Sequence, residues 1–158
     1  MLEQRGELAE AEPLLHEALE IMSARYGHQS TETVIPLNAL GNFLARQGRF
    51  NEAEPLARQT LAICEKQTPD HWRLFSAMTA LGGILHKQNK LMEAEPLLVN
   101  GYYGMVKRQN QTASPKTSIK SANQRLIQLY TEWGKPVKAA EWQARLDAPD
   151  QAGKPVAQ

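Results

Sequence analysis

Side chains that could support catalysis or bind a metal are scattered through this 158-residue chain. The four histidines lie far apart, and none has a cysteine, histidine or acidic residue at the spacing of a metal-ligand set; they are His16, His28, His71 and His86. Cys64 falls on an apolar stripe, which favours a small buried side chain over a nucleophile. The sequence therefore predicts no enzyme, no metal site and no cofactor, with the histidines on the surface or in linkers.

One line of amide and basic side chains does have a spacing that suits binding. Asn38, Asn42 and Arg46 recur every four residues, so on a helix they share one face. Later in the chain, Gly83 interrupts a similar line. An amide can donate to a peptide carbonyl and accept from a peptide N–H. We therefore expect an extended peptide, acidic in part, to bind along Asn38, Asn42, Arg46, Thr79, His86, Lys87, Gln124 and Gln128. The alternative is an exposed polar face without a function.

These residues lie within a repeated sequence. The phrase AEPL begins at Ala11, Ala53 and Ala94, and a worn copy, AAEW, begins at Ala139. A turn-type residue precedes each copy, at spacings of 42, 41 and 45 residues: Gly6, Gly48, Asn89 and Gly134. A fixed period of this length is typical of a repeat array.

Each repeat has the apolar pattern of two amphipathic helices, with hydrophobic residues three and four apart. Pro36 cannot donate an interior hydrogen bond, so its helix should begin late, near Thr33, or kink. Thr68 and Pro69 resemble an N-cap followed by a first-turn proline. Ile35 and Phe75 are expected on the apolar sides of their helices. The pattern predicts helices at residues 9–25, 33–46, 51–66, 68–87, 91–108, 117–133 and 136–147.

The repeats predict a division of the chain into four units and a tail. The first unit is partial and holds mostly its second helix. The last is degenerate and polar, as the end of an array requires. The boundaries are 1–26, 27–67, 68–109 and 110–147, followed by a disordered tail at 148–158; residues 109–116 are expected to form a mobile connector.

Small residues predict where paired helices cross. Gly41 and Gly82 lie in the first helices of two pairs, and Ala53 and Ala94 lie in the facing helices. A larger side chain at any of these positions would push the two helices apart.

Composition limits the choice of partner. The net charge of +1 gives no electrostatic basis for binding nucleic acid or an anionic membrane. No apolar run is long enough to span a bilayer, and the acidic N-terminal residues do not resemble a signal peptide. With a single cysteine, no internal disulfide can form. We therefore expect a cytoplasmic protein.

The motifs resemble those of tetratricopeptide repeat (TPR) proteins. Leu37, Leu40, Gly41 and Leu44 have the spacing of that signature, and residues 78–85 repeat it. The period and the AEPL phrase are similar to the longer repeats of kinesin light chains. Residues 82–105 and 129–146 also resemble the C-terminal repeat tails of bacterial serine/threonine kinases, although no kinase motif is present.

The resemblance implies an all-α solenoid of about seven helices, a right-handed superhelix whose first helices line a concave face. It also implies a protein–protein interaction scaffold that binds a protein or peptide partner. One alternative is a structural spacer or C-terminal cap of a larger repeat array or kinase-linked protein. Another is self-association through an uncovered N-terminal helix that carries Leu14, Leu15, Ala18 and Leu19.

Overall fold

The computed structural model describes residues 2–108 and 116–147, with side chains from residue 10 to 108 and from 118 to 147. This part of the chain has seven α-helices and no strand, which confirms the predicted all-α fold. The helices are α1 (Leu2–Tyr26), α2 (Val34–Arg46), α3 (Phe50–Gln67), α4 (Trp72–Lys87), α5 (Leu91–Arg108), α6 (Lys116–Glu132) and α7 (Pro136–Asp147). None of these helices is long and apolar enough to cross a membrane.

The chain divides into two compact units, Met1–Pro69 and Asp70–Gln158. The first contains α1 and the α2–α3 pair, and the second contains the α4–α5 and α6–α7 pairs. Most of the predicted connector, at 109–115, and the predicted tail, at 148–158, lie outside the described residues.

In the first unit, α2 begins after a short 3-10 turn, Thr31–Thr33. The Ser30 hydroxyl accepts a hydrogen bond from the Glu32 N–H at 3.1 Å and so caps this turn. Pro36 is the third residue of α2, where an N–H would have no partner within the helix. The predicted late start is therefore confirmed, and the proline costs α2 no hydrogen bond.

Three expectations about helix ends and faces were wrong. Gly6 is helical and lies inside α1, because too little chain precedes it to form a first helix from which to turn. Thr68 closes α3 through its N–H and hydroxyl on the Cys64 carbonyl, so His71 caps α4 instead. Ile35 was expected on the apolar side of α2, but it is 62% exposed.

The three remaining predicted turns have the expected backbone. Gly48, Asn89 and Gly134 have φ angles of 77°, 62° and 71°, in the left-handed region that favours glycine and asparagine. Each turn therefore reverses the chain between the two helices of a pair.

The α4–α5 pair in the second unit is closely packed because glycines lie at the crossing. A Cβ atom added to Gly101 would lie 2.5 Å from Thr79 Cγ2 and 2.8 Å from the Phe75 carbonyl oxygen. At Gly104 it would overlap the Phe75 ring, and at Gly82 it would lie 2.8 Å from Leu98 Cγ. The predicted close approach at Gly82 is thus present. At Gly41 it is not, because an added Cβ would lie 3.7 Å from Leu56 Cβ, an ordinary contact.

The core of the second unit continues into the α6–α7 pair. The Tyr102 and Trp142 rings meet edge to face at 4.9 Å, and both side chains are buried. The Tyr130 hydroxyl donates to Glu95 at 2.6 Å and so connects α6 to α5. As predicted, α7 is polar: Ala139 and Trp142 are its buried residues.

Alanine substitutions can distinguish the two crossings. Gly101→Ala should destabilise the chain by about 1–3 kcal/mol, because the Phe75 carbonyl is backbone and cannot swing away. Gly41→Ala has room, and should stabilise the chain by up to about 1 kcal/mol through helix propensity. Denaturant unfolding of both variants and the parent measures the two effects. A Gly101→Ala variant as stable as the parent would contradict the close crossing.

Candidate functional site

The part of the chain that the structure describes contains no group of three His, Cys, Asp or Glu side chains that could hold a metal ion. Cys64 is 2% exposed within α3, which agrees with its predicted role as a small buried side chain. His86 is 4% exposed, so its expected surface position was wrong. The polar lines along the first helices therefore remain the candidate site.

In the first unit, α2 carries the predicted line on its open side. Asn42 and Arg46 are exposed and Asn38 is half-buried. Ile35 shares this face, since three and seven residues separate it from Asn38 and Asn42. The α2 face therefore combines amides and a cation with an exposed apolar side chain.

In the second unit, α4 departs from the prediction at two positions. Thr79 is 6% exposed, and its hydroxyl donates to the Ser76 carbonyl at 2.9 Å. His86 is also buried, whereas Lys87 is exposed. Both buried residues interact with α6, so neither side chain is open to a ligand.

Arg125 on α6 explains the interruption of the polar line at Gly83. Its Nη1 donates to the Thr79 carbonyl at 2.7 Å. A Cβ atom at Gly83 would lie only 3.1 Å from that nitrogen, so the missing side chain makes room for the guanidinium. Burial lowers the pKa of Arg125. No carboxylate in residues 10–108 or 118–147 forms an ion pair with it.

A second polar contact joins α4 to α6. His86 Nε2 lies 2.6 Å from Glu132 Oε2, and the Gln128 amide donates to Glu132 Oε1 at 2.8 Å. Burial acts to raise the pKa of Glu132, but the hydrogen bonds from Gln128 and His86 outweigh it and hold that pKa below its ordinary value. Gln128 is exposed, yet this bond occupies one of its amide N–H groups.

The α4 and α6 helices thus bring together part of the predicted set. Lys87, Gln124 and Gln128 are exposed, while Thr79 and His86 are used in packing. Arg125 was missed because it lies one residue away from the line. The signal that could have found it is Gly83, a residue without a side chain at a position that holds Asn42 and Gln128 elsewhere. This face offers hydrogen-bond donors, acceptors and cations, which suit binding.

Comparisons with known proteins agree with this architecture. The sequence profile of the tetratricopeptide repeat family matches residues 1–66 and 32–99. A structure of a Podosopora anserina protein named for kinesin light chain, with nearly identical TPR-like repeats, aligns at 19% identity and a TM-score of 0.69. The alignment covers 96% of this chain and 71% of that one. A variant of it aligns at 20% identity and 0.73, over 93% and 68%.

BtubC (BKLC) from P. vanneervenii aligns with a TM-score of 0.75 and 19% identity over 97% of this chain. This chain spans 61% of the length of that protein. At such identities the structural likeness shows the fold alone. No curated protein sequence matches the chain.

Removing the Glu132 carboxylate should reduce the sensitivity of the fold to acid. Because its pKa is lowered on folding, ionised Glu132 stabilises the fold above its ordinary pKa of 4.5, and this contribution is lost as the pH falls through the lowered value. Glu132→Gln should therefore lose less Tm than the parent between neutral pH and about pH 3. Gln124→Ala, which changes the same helix but no carboxyl group, should match the parent. An equal loss in Glu132→Gln and parent would contradict the pKa direction.

Proposed function

The chain belongs to the tetratricopeptide repeat family, and on that basis we propose that it is a non-catalytic scaffold that binds an extended, acidic segment of a partner protein. Repeats of this family generally mediate protein–protein interaction. The proposed binding surface is the open face of the first helices: α2 in the first unit, and α4 with α6 in the second.

Arg125 is the observation that carries the proposal. Its side chain is half-buried, and one of its five N–H donors bonds the Thr79 carbonyl. A cation withdrawn from water without a counter-charge raises the free energy of the fold. A carboxylate or peptide carbonyl from a partner would offset that cost. Arginine suits this role because its planar group can bind a carboxylate through two hydrogen bonds.

Neighbouring side chains support an acidic, extended ligand. Lys87 on α4 is exposed and adds a second positive charge. The carboxylate of Glu132 is already bonded to His86 and Gln128, which limits its repulsion of an acidic peptide. Gln124 is exposed on α6 and can bond both groups of a peptide backbone. An extended segment exposes those backbone groups, whereas a helix satisfies its own.

The α2 face supports the same kind of ligand in the first unit. Asn42 and Arg46 supply an amide and a cation, and exposed Ile35 offers an apolar contact for a ligand side chain. Asn38 is half-buried and contributes less accessible surface.

Finer expectations from the sequence belong to the same proposal. We propose the repeat boundaries 1–26, 27–67, 68–109 and 110–147, a cytoplasmic location, and a bacterial scaffold or kinase-linked protein as the source of the chain. A spacer or cap role remains the alternative, and the scarcity of buried residues on α7 favours a cap. In that case, the first-helix face would have no ligand.

Paired alanine substitutions test the α4–α6 face. A phage-displayed library of random linear peptides is selected on the full chain, and the affinity of the best peptide is measured by fluorescence anisotropy. Lys87→Ala with Gln124→Ala should weaken binding at least about tenfold, because one neutral and one charge-assisted hydrogen bond together contribute about 2 kcal/mol or more. The selected peptides should be acidic, and their binding should weaken as salt is added.

The matched control changes one lysine and one amide on a second helix. Lys107 and Asn100 are both exposed on α5, so Lys107→Ala with Asn100→Ala should leave the affinity unchanged. Equal losses in the two double variants would contradict the proposed face, and a library that yields no binding peptide would favour the spacer or cap. Asn42→Ala with Arg46→Ala tests the α2 face separately.

A further inference from the structure

Helix α1 has an exposed stripe that nothing in the proposed peptide-binding role uses. Leu14 is 63% exposed and Ile21 is 56% exposed, and Ala18 between them is also exposed. Two exposed charged residues, Glu10 and Arg25, lie at the two ends. At 3.6 residues per turn, these five residues fall within about 80° of the helix circumference. We call them the α1 stripe.

The stripe is separate from the side of α1 that packs against the rest of its unit. Leu15, Leu19 and Met22 are half-buried, and Ser23 is 7% exposed. The sequence alone suggested that Leu15 and Leu19 would be uncovered together with Leu14 and Ala18. The structure instead separates them, because Leu15 and Leu19 lie on the packed side.

The repeat register indicates that this face suits a helix as its partner. Aligning Ala11 with Ala94 places Ala18 and Ile21 at the positions of Gly101 and Gly104 in α5. Those glycines lie directly against α4, the paired helix, which α5 follows after a three-residue turn. The α1 stripe has no covering helix among the described residues.

The order of residues in the stripe selects its partner. Leu14, Ala18, Ile21 and Arg25 are spaced by four, three and four residues, the spacing along which two helices can pack side by side. Beside a second, antiparallel copy of α1, Leu14 would face Ile21 and Glu10 would face Arg25, each pair occurring twice. A parallel copy would instead set Glu10 against Glu10 and Arg25 against Arg25.

We propose that the α1 stripe binds the α1 stripe of a second copy of this chain, as an antiparallel twofold-symmetric pair. Such an interface is self-complementary, as closed dimers require. Ala18 lies near the twofold axis, where a small side chain lets the helices approach. Glu17 borders the stripe at the same level, so its two copies repel each other and limit the affinity. The pairing is therefore a weak, concentration-dependent association.

Charge reversal with rescue tests the pairing. Sedimentation equilibrium of the 158-residue chain should show a monomer–dimer equilibrium. Glu10→Arg alone, or Arg25→Glu alone, places like charges together twice and should weaken dimerisation about tenfold. The double reversal restores both pairs and should restore the affinity. Within one helix the two residues lie about 22 Å apart, so an intramolecular bond cannot produce the rescue.

Further variants distinguish this surface from others. Leu14→Glu with Ile21→Glu should abolish the dimer, whereas Glu17→Gln should strengthen it. Under oxidation, Ala18→Cys should form a disulfide across the axis, whereas Glu20→Cys, which is exposed away from the stripe, should not. All these side chains except Glu10 lie in exposed positions within the helix rather than at its end, and circular dichroism should confirm that every variant remains helical.

Three outcomes would overturn the proposal. A parent chain that stays monomeric at every concentration would leave the stripe to a helix of a different protein. A dimer that tolerates both single charge reversals uses another surface. Single reversals that weaken the dimer without rescue by the double reversal would exclude the antiparallel register.

Discussion

The close approach of α4 and α5 is the constraint on which the second unit depends. Glycines on α5 allow Phe75 and Thr79 of α4 to contact the opposing helix directly, where any side chain would intervene. Because this contact uses one side of α4, the other side is left for α6 and for solvent. The arrangement that buries the core therefore also determines which α4 residues can reach a ligand.

Polar residues between α4 and α6 serve packing as much as binding. Thr79 provides a carbonyl to Arg125, and His86 provides a ring nitrogen to Glu132, so two of the predicted ligand-binding side chains instead hold the helices together. Half-burial of an arginine beside a glycine is costly for the fold unless further acceptors are available. That cost makes the α4–α6 face receptive to an acidic partner, whereas a neutral surface at the same place would gain little from binding one.

Much of the fold follows from periodicity, because a repeat has to present the same apolar stripe and turn residue at each period. The seven helices, the left-handed turns at Gly48, Asn89 and Gly134, and the burial of Tyr102 and Trp142 were predictable for that reason. Burial within the candidate site was not, because it depends on which neighbouring helix covers a position. Gly41 and Gly82 occupy equivalent places in one motif, yet Leu98 crowds only the second. Thr68 could cap either of two helices, and sequence does not decide between them.

Photo-crosslinking tests most directly the claim that the first helices hold the partner. A photoreactive residue replaces Gln124 on α6 or Asn100 on α5, both of which are exposed, and each chain is irradiated with an acidic peptide selected from the library. A peptide held on the first helices crosslinks at position 124 and not at position 100. Crosslinking at position 100 alone, or equally at both, would contradict a binding site on the α4–α6 face.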